Sequence, residues 1–138
     1  MMAIKVEGLN FSFSGLKTQI LYFIQKNVAE NPNFIEENKA DICASIQYTI
    51  INILMDKLKL AVAETGINQI AIGGGVSANS GIRTTLKEAE KKYDWKSYIP
   101  KFEYTTDNAA MIGIVGYYNF LEENFSNAEI TSKARIEF

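Results

Sequence analysis

Apolar residues along the chain fall into runs with two periods. Leu16, Ile20, Phe23 and Ile24 are spaced three and four apart, as one face of a helix requires, and Pro32 ends that pattern. A longer stripe, Ile42, Ile46, Ile50, Ile53, Leu54 and Leu58, predicts a helix reaching to about residue 64, with Gly66 as its stop. Asn33 and Glu36 have the spacing of a capping box at its start. Ahead of the first helix, "IKVEGLNFSF" (4–13) ends in an alternation of Phe11 and Phe13 with Ser12 and Ser14. That predicts an extended segment, with Ser14 capping the helix. After Gly66, "INQIAIGGG" reads as a short apolar strand running into glycines. Asn79 or Ser80 then caps a helix carrying Ile82, Leu86 and Ala89. A loop around Trp95 and Pro100 leads to a second extended piece, "FEYTT". Thr106 or Asp107 is expected to cap a last helix with Met111, Ile114 and Tyr118 on one side, kept thin for close packing by Ala109, Ala110, Gly113 and Gly116. The tail from Asn124 is polar and expected to run over the surface. Strands alternating with helices predict an α/β fold.

Composition narrows the class. The chain has 138 residues, 47% hydrophobic and 22% charged, enough for one globular domain with a core and short for two. No apolar run approaches the roughly 20 residues needed to span a bilayer, and the N-terminus lacks the features of a secretory signal. Cys43, the one cysteine, lies in a helical apolar pattern and is expected to be a small buried hydrophobe of a cytoplasmic protein. A net charge of −2, from 14 basic and 16 acidic residues, argues against a strongly basic nucleic-acid module. One local strip runs against that balance: Arg83, Lys87, Lys91 and Lys92, continued by Lys96 and Lys101. Its default reading is a solvated helix face. Histidine is absent, which removes an imidazole base, a Ser-His pair and a His-ligated metal site from what the chain itself can supply.

Three stretches carry candidate chemistry. In "IAIGGGVSANS" a strand passes through Gly73, Gly74 and Gly75 to a helix start, an arrangement suited to a nucleotide or another anion. Asn79 adds an amide that both donates and accepts. The glycine spacing matches neither a Walker loop nor a dinucleotide fingerprint, and a tight strand-to-helix turn is the competing explanation. "FSFSGLKT" places Ser14, Gly15 and Thr18 at another helix start, where ordinary capping accounts for most of the pattern. In "YTTDNAAM", Asp107 follows the predicted second strand, and its carboxylate suits a helix cap or a metal ligand.

Taken in order, "GLNFSFSGLKT", "GGGVSANSGIR" and "TTDNAAMIG" resemble the C-terminal half of the TsaD family. These are tRNA threonylcarbamoyladenosine-modifying proteins, once described as glycoproteases. The resemblance covers essentially the whole chain, with one departure: Asn10 stands where the family usually has Asp. It implies an α/β lobe of the ribonuclease H-like, two-lobed fold shared by actin, hexokinase and Hsp70. It also implies that residues 1–138 are the C-terminal lobe of a longer protein whose N-terminal lobe lies outside this sequence, so that this chain alone is inactive. The implied reaction transfers threonylcarbamoyl from threonylcarbamoyl-adenylate to N6 of the adenosine beside the anticodon, in tRNAs reading ANN codons. Carried over, Asn79 would contact the adenylate, with Gly74 and Gly75 beneath its base or ribose. Ser14 and Gly15 would lie near the cleft, and Asp107 would give one ligand to iron or zinc. The other two metal ligands of the family are histidines of the missing lobe. Implied partners are tRNA and, in bacteria, TsaB and the ATPase TsaE, with no membrane.

Three rival readings follow from the same residues. A metal-dependent glycoprotease would need an HExxH motif or an activated nucleophile, and the chain has neither. A sugar or acetate kinase of the same fold would share the glycine loop but not the pairing of "FSFSGLKT" with "TTDNAAM". A non-catalytic, TsaB-like dimerisation partner would lack the context of Asp107.

Overall fold

The computed structural model describes residues 6–131. The two apolar helical stripes form two helices in sequence, α1 (Phe13–Glu30) and α2 (Phe34–Thr65). Leu16 is buried on α1, which packs along α2, and Phe23 meets Phe34 edge to face, with ring centroids 5.9 Å apart. Gly66 ends α2 in the left-handed region at φ 70°, its N–H donating to the Val62 carbonyl, as the sequence predicts.

The start of α1 differs from expectation, whereas α2 opens where the sequence places it, with Asn33 at the N-cap position. Helix α1 begins two residues earlier than the serine pattern suggests: Ser12 is its N-cap, and Ser14 lies inside the first turn, its carbonyl accepting from the Thr18 hydroxyl. The described residues of the predicted extended segment, 6–12, hold a bend and a turn at 7–9 and no strand; residues 4 and 5 lie outside the described residues. The Lys57 ammonium on α2 holds them by donating to the Val6 and Gly8 carbonyls, and Phe11 stacks on Phe13 at 5.5 Å. At the start of α2 the Asn33–Glu36 box is not made. Asn31 takes its place: its side-chain oxygen accepts from the Asn33 N–H at 3.0 Å, and its amide donates to Glu37 at 2.8 Å.

The α/β unit follows. Strand β1 (Gln69–Ala71) and strand β2 (Lys96–Tyr98) pair in parallel, Gln69 opposite Lys96 and Ala71 opposite Tyr98. Helix α3 (Ser80–Tyr93) is the crossover between them, the connection that parallel strands require. Its buried face is the predicted Ile82, Leu86 and Ala89. These join Met55 of α2, Ile70 of β1 and Trp95 in one core, edged by Ile51, Leu54, Leu58, Val62, Ile72 and Ile99.

Two further expectations are corrected. The second strand precedes Pro100 instead of following it, and "FEY" (Phe102–Tyr104) is a 3-10 turn. Strand β2 has little apolar content of its own and is fixed from α3: Glu90 accepts from the Ser97 N–H at 2.7 Å and from its hydroxyl at 2.6 Å. Cys43 is exposed, not buried, because it sits one position off the stripe that faces the core.

Helix α4 (Ala109–Leu121) completes the order. It contains no charged residue, yet Ile112, Ile114, Val115, Tyr118, Phe120 and Leu121 are all more than half exposed. Met111, Ile114 and Tyr118 therefore face no core among the described residues, and nothing closes on Gly113 or Gly116. The accessible surface of the chain is 11065 Å², against about 7,200 Å² expected for a compact monomer of 15.5 kDa. Among the described residues no helix is long and apolar enough to cross a membrane.

Candidate functional site

The glycine segment leaves the sheet at the C-terminal end of β1. The Ile72 N–H still reaches the Tyr98 carbonyl at 3.1 Å, after which the chain turns through Gly73 and Gly74 into a 3-10 turn, Gly75–Ala78. Gly74 sits at φ 73°, ψ 175°, a conformation in effect reserved for glycine, so the turn itself accounts for it. Gly73 and Gly75 are different. Neither has a positive φ, and a Cβ built on either would meet no protein atom within 4 Å. Neither the backbone nor the packing of this chain calls for glycine there. Gly81, by contrast, is a packing glycine: its Cβ would lie 2.7 Å from Ile51 Cδ1.

The small polar residues after the glycines divide their roles. Ser77 is buried and folds inward, its hydroxyl donating to the Gly74 carbonyl at 2.7 Å and its N–H to the same oxygen at 3.0 Å. It braces the loop rather than facing a ligand. Asn79 is the N-cap of α3, with Oδ1 accepting from the Ile82 N–H at 3.1 Å. Its amide nitrogen lies 3.4 Å from Gln47 Oε1, a weak contact, which leaves the donating end of the amide available beside the glycines. The positive end of the α3 dipole points at the same place.

Arg83, which the sequence offers as the last residue of "GGGVSANSGIR" and the first of the basic strip, joins this loop to the next candidate stretch. Its Nε donates to the Ser77 carbonyl at 2.6 Å and one terminal nitrogen to the Pro100 carbonyl at 2.7 Å. The guanidinium lies 4.7 Å from the Phe102 ring centroid. Phe102 in turn offers its carbonyl to the Thr105 hydroxyl at 2.8 Å, and Thr105 is buried two residues before Asp107. The fork geometry of arginine makes this double tie possible, and only the arrangement in space reveals it.

Asp107 is not the helix cap that its position suggests, and neither is Thr106. The cap of α4 is Asn108, whose Oδ1 accepts from the Met111 N–H at 3.1 Å while its amide donates to the Thr106 carbonyl at 2.8 Å. The Asp107 carboxylate is exposed and makes no hydrogen bond or ion pair among the described residues. Those residues contain no group of three His, Cys, Asp or Glu side chains able to hold a metal. Ser14 and Gly15 lie in the first turn of α1, which packs on α2, and no hydrogen bond joins them to the glycine loop. Hydrogen bonds from Ser77 and Arg83 thus link Gly74 to Pro100, and Asn79 caps the helix that carries Arg83, whereas Gly75, Asp107, Ser14 and Gly15 make none of these bonds.

Among the described residues, Glu90 is the one carboxylate with a large displacement of its acidity. Hydrogen bonding from the Ser97 hydroxyl, then from Lys87 and the Ser97 N–H, lowers its pKa to about 2.

Residues 1–114 match the family described as TsaD: tRNA N6-adenosine threonylcarbamoyltransferase. Proteins named tRNA N6-adenosine threonylcarbamoyltransferase are similar along nearly all of the chain. The one from Christiangramia forsetii is 63% identical over 134 residues, 97% of this chain and 39% of that protein. Those from Riemerella anatipestifer and Cytophaga hutchinsonii are 54% and 49% identical over 133 residues, 96% of this chain and 39% of each protein. The chain therefore spans about two fifths of the length of the curated relatives it matches.

Proposed function

The chain belongs to the TsaD family, and on that premise we propose that residues 1–138 are the C-terminal, nucleotide-holding lobe of a longer two-lobed tRNA N6-adenosine threonylcarbamoyltransferase. The lobe is of the actin, hexokinase and Hsp70 type. The observation that carries the reading is the open space over Gly73 and Gly75, where the chain has no reason of its own to omit a side chain. A flat base or ribose laid on that backbone supplies the reason. The large bare surface and the uncovered α4 support a lobe that packs against more protein.

In this reading Gly74 and Gly75 form the floor beneath the adenylate. Asn79 donates to its ribose or base through the amide hydrogens that capping leaves over. The α3 N-terminus favours the phosphate. Transfer forms a bond from the adenosine N6 of tRNA to the carbamoyl carbon and breaks the bond from that carbon to the phosphate oxygen. AMP leaves, and N6 loses a proton. Holding the phosphate through the step is this chain's contribution. A divalent metal fits the chain only as a shared ligand, because Asp107 is a single carboxylate. Iron or zinc would be held between Asp107 and side chains outside these residues, and when bound would polarise the anhydride. Ser14 and Gly15 would border the cleft from α1. A cytoplasmic setting, with tRNA as substrate and TsaB and TsaE as protein partners, belongs to the same proposal.

The test is threonylcarbamoyl transfer to tRNA by the full-length protein across a range of adenylate concentrations. Asn79→Ala should raise the KM for adenylate by about 5- to 150-fold, the cost of about 1–3 kcal/mol for an unpaired polar group. Asp107→Asn should abolish transfer with folding unchanged, since α4 is capped by Asn108. Near-normal transfer in both variants would remove the assignment.

A further inference from the structure

The basic strip of the sequence is not a uniform solvated face, because the fold collects part of it into a groove. Arg83, Lys87 and Lys91 line one wall of a cavity of about 710 Å³, and Ile99, Pro100 and Lys101 line the other. Lys92 and Lys96 point elsewhere, Lys92 lying over Tyr93 and Lys96 over Tyr98.

Charge within the groove is unequal. Of its two carboxylates, Glu90 is already committed to Ser97 and to Lys87, whose Nζ lies 3.0 Å away. Glu88 remains against Arg83, Lys91 and Lys101. The hydrogen-bond partners of Arg83 are neutral carbonyls, so its charge is held in place without being cancelled. Lys91 and Lys101 are exposed and make no ion pair or hydrogen bond among the described residues. With Lys87 paired to Glu90, the cations that α3 brings to the groove without an ion pair among the described residues are Arg83 and Lys91. They are eight residues and about 12 Å apart along the axis, with Lys101 lining the groove beside them. Separated positive charges along one groove, on a chain whose net charge is −2, fit an extended polyanion better than a single small anion.

We propose that the groove between α3 and the segment 99–101 is a docking surface for the phosphodiester backbone of the substrate RNA. The identity of that RNA as tRNA rests on the functional reading above; the groove supplies where it lies on this chain. Arg83 spans the two places. Its Nε braces the glycine loop and the same residue lines the groove, so a strand seated there adjoins that loop. Contacts of this kind position an RNA without reading its sequence.

Fluorescence anisotropy of labelled tRNA with the full-length protein, from 50 to 300 mM salt, tests this. The variant is Lys91→Glu/Lys101→Glu. The control is Lys26→Glu/Lys39→Glu, which makes the same charge change at exposed positions of α1 and α2. The groove variant should bind at least tenfold more weakly at low salt, with the slope of log affinity against log salt smaller by about 2, near 1 per lysine. The control should keep the wild-type slope. Equal losses in the two would mean that only net charge matters and would overturn the proposal. So would normal tRNA binding by the groove variant accompanied by loss of a protein partner, which would make the groove a protein contact. Transfer activity is read on the same samples. A wild-type protein that binds tRNA with this groove dependence yet transfers nothing would keep the groove and sink the functional reading. An unchanged KM for tRNA in an active groove variant would do the reverse.

Discussion

Replacing each of the three consecutive glycines by alanine separates a turn from a ligand floor. At Gly75 the new methyl meets no protein atom within 4 Å and the backbone is not in the left-handed region. Restricting the unfolded chain there should stabilise by about 0.4–1 kcal/mol. For 138 residues the unfolding entropy is about 0.29 kcal/mol per kelvin, so Tm should rise by about 1–3 °C. Gly73→Ala should behave alike. Gly74→Ala should not: at φ 73°, ψ 175° the strain costs about 1–3 kcal/mol, a fall of about 3–10 °C. AMP binding by titration calorimetry, on full-length protein carrying the same substitutions, should give a different order. A methyl pushed into a ligand that fills the space costs about 1–3 kcal/mol, so all three variants should lose about 5- to 150-fold in affinity. Loss of affinity with gain of stability at Gly73 and Gly75 is the signature. If those two variants bind AMP as the wild type does, the glycines serve only the turn and the nucleotide floor is wrong.

Three other outcomes are expected. Asn108→Ala should lower stability by about 0.5–2 kcal/mol through loss of the α4 cap, seen in thermal unfolding, while Asp107→Ala leaves Tm within error. Glu90 has a folded pKa near 2 against an ordinary 4.5, so its contribution is present above about pH 4.5 and lost as pH falls toward 2. Glu90→Gln should therefore be less stable at neutral pH and lose less stability over that acid range, by up to one proton in the slope of stability against pH. Arg83→Lys keeps the charge but not the fork across the Ser77 and Pro100 carbonyls. It should cost about 1.5–3 kcal/mol for a charged hydrogen bond lost, and hydrogen exchange should quicken at Ser77 and Thr105 together.

What could be read from the sequence follows the range of the forces involved. The α1 and α2 stripes, the Gly66 stop and the β1–glycine–α3 order were legible, because each rests on periodicity or on a residue with one strong local preference. Strand β2 was placed too late because "KSY" has no apolar signature, and Glu90, seven residues before Ser97, holds it in place. Thr106, Asp107 and Asn108 are all capping types in a row, and only the backbone geometry selects Asn108. The alternation of Phe11 and Phe13 imitated a strand, whereas the two rings stack on each other at the entry to a helix. At the candidate site the glycines and Asn79 stood out by type. The double tie of Arg83 did not, since the carbonyls it binds lie 6 and 17 residues away.

Helix α4 carries a consequence for how the chain behaves in a test tube. Thirteen uncharged residues, none of them buried among the described residues, form an adhesive rod that water does not favour. The free energy of folding then includes whatever that rod touches, so the melting point of the isolated chain should climb with its own concentration or with added detergent. A single figure for its thermodynamic stability would describe the flask as much as the polypeptide.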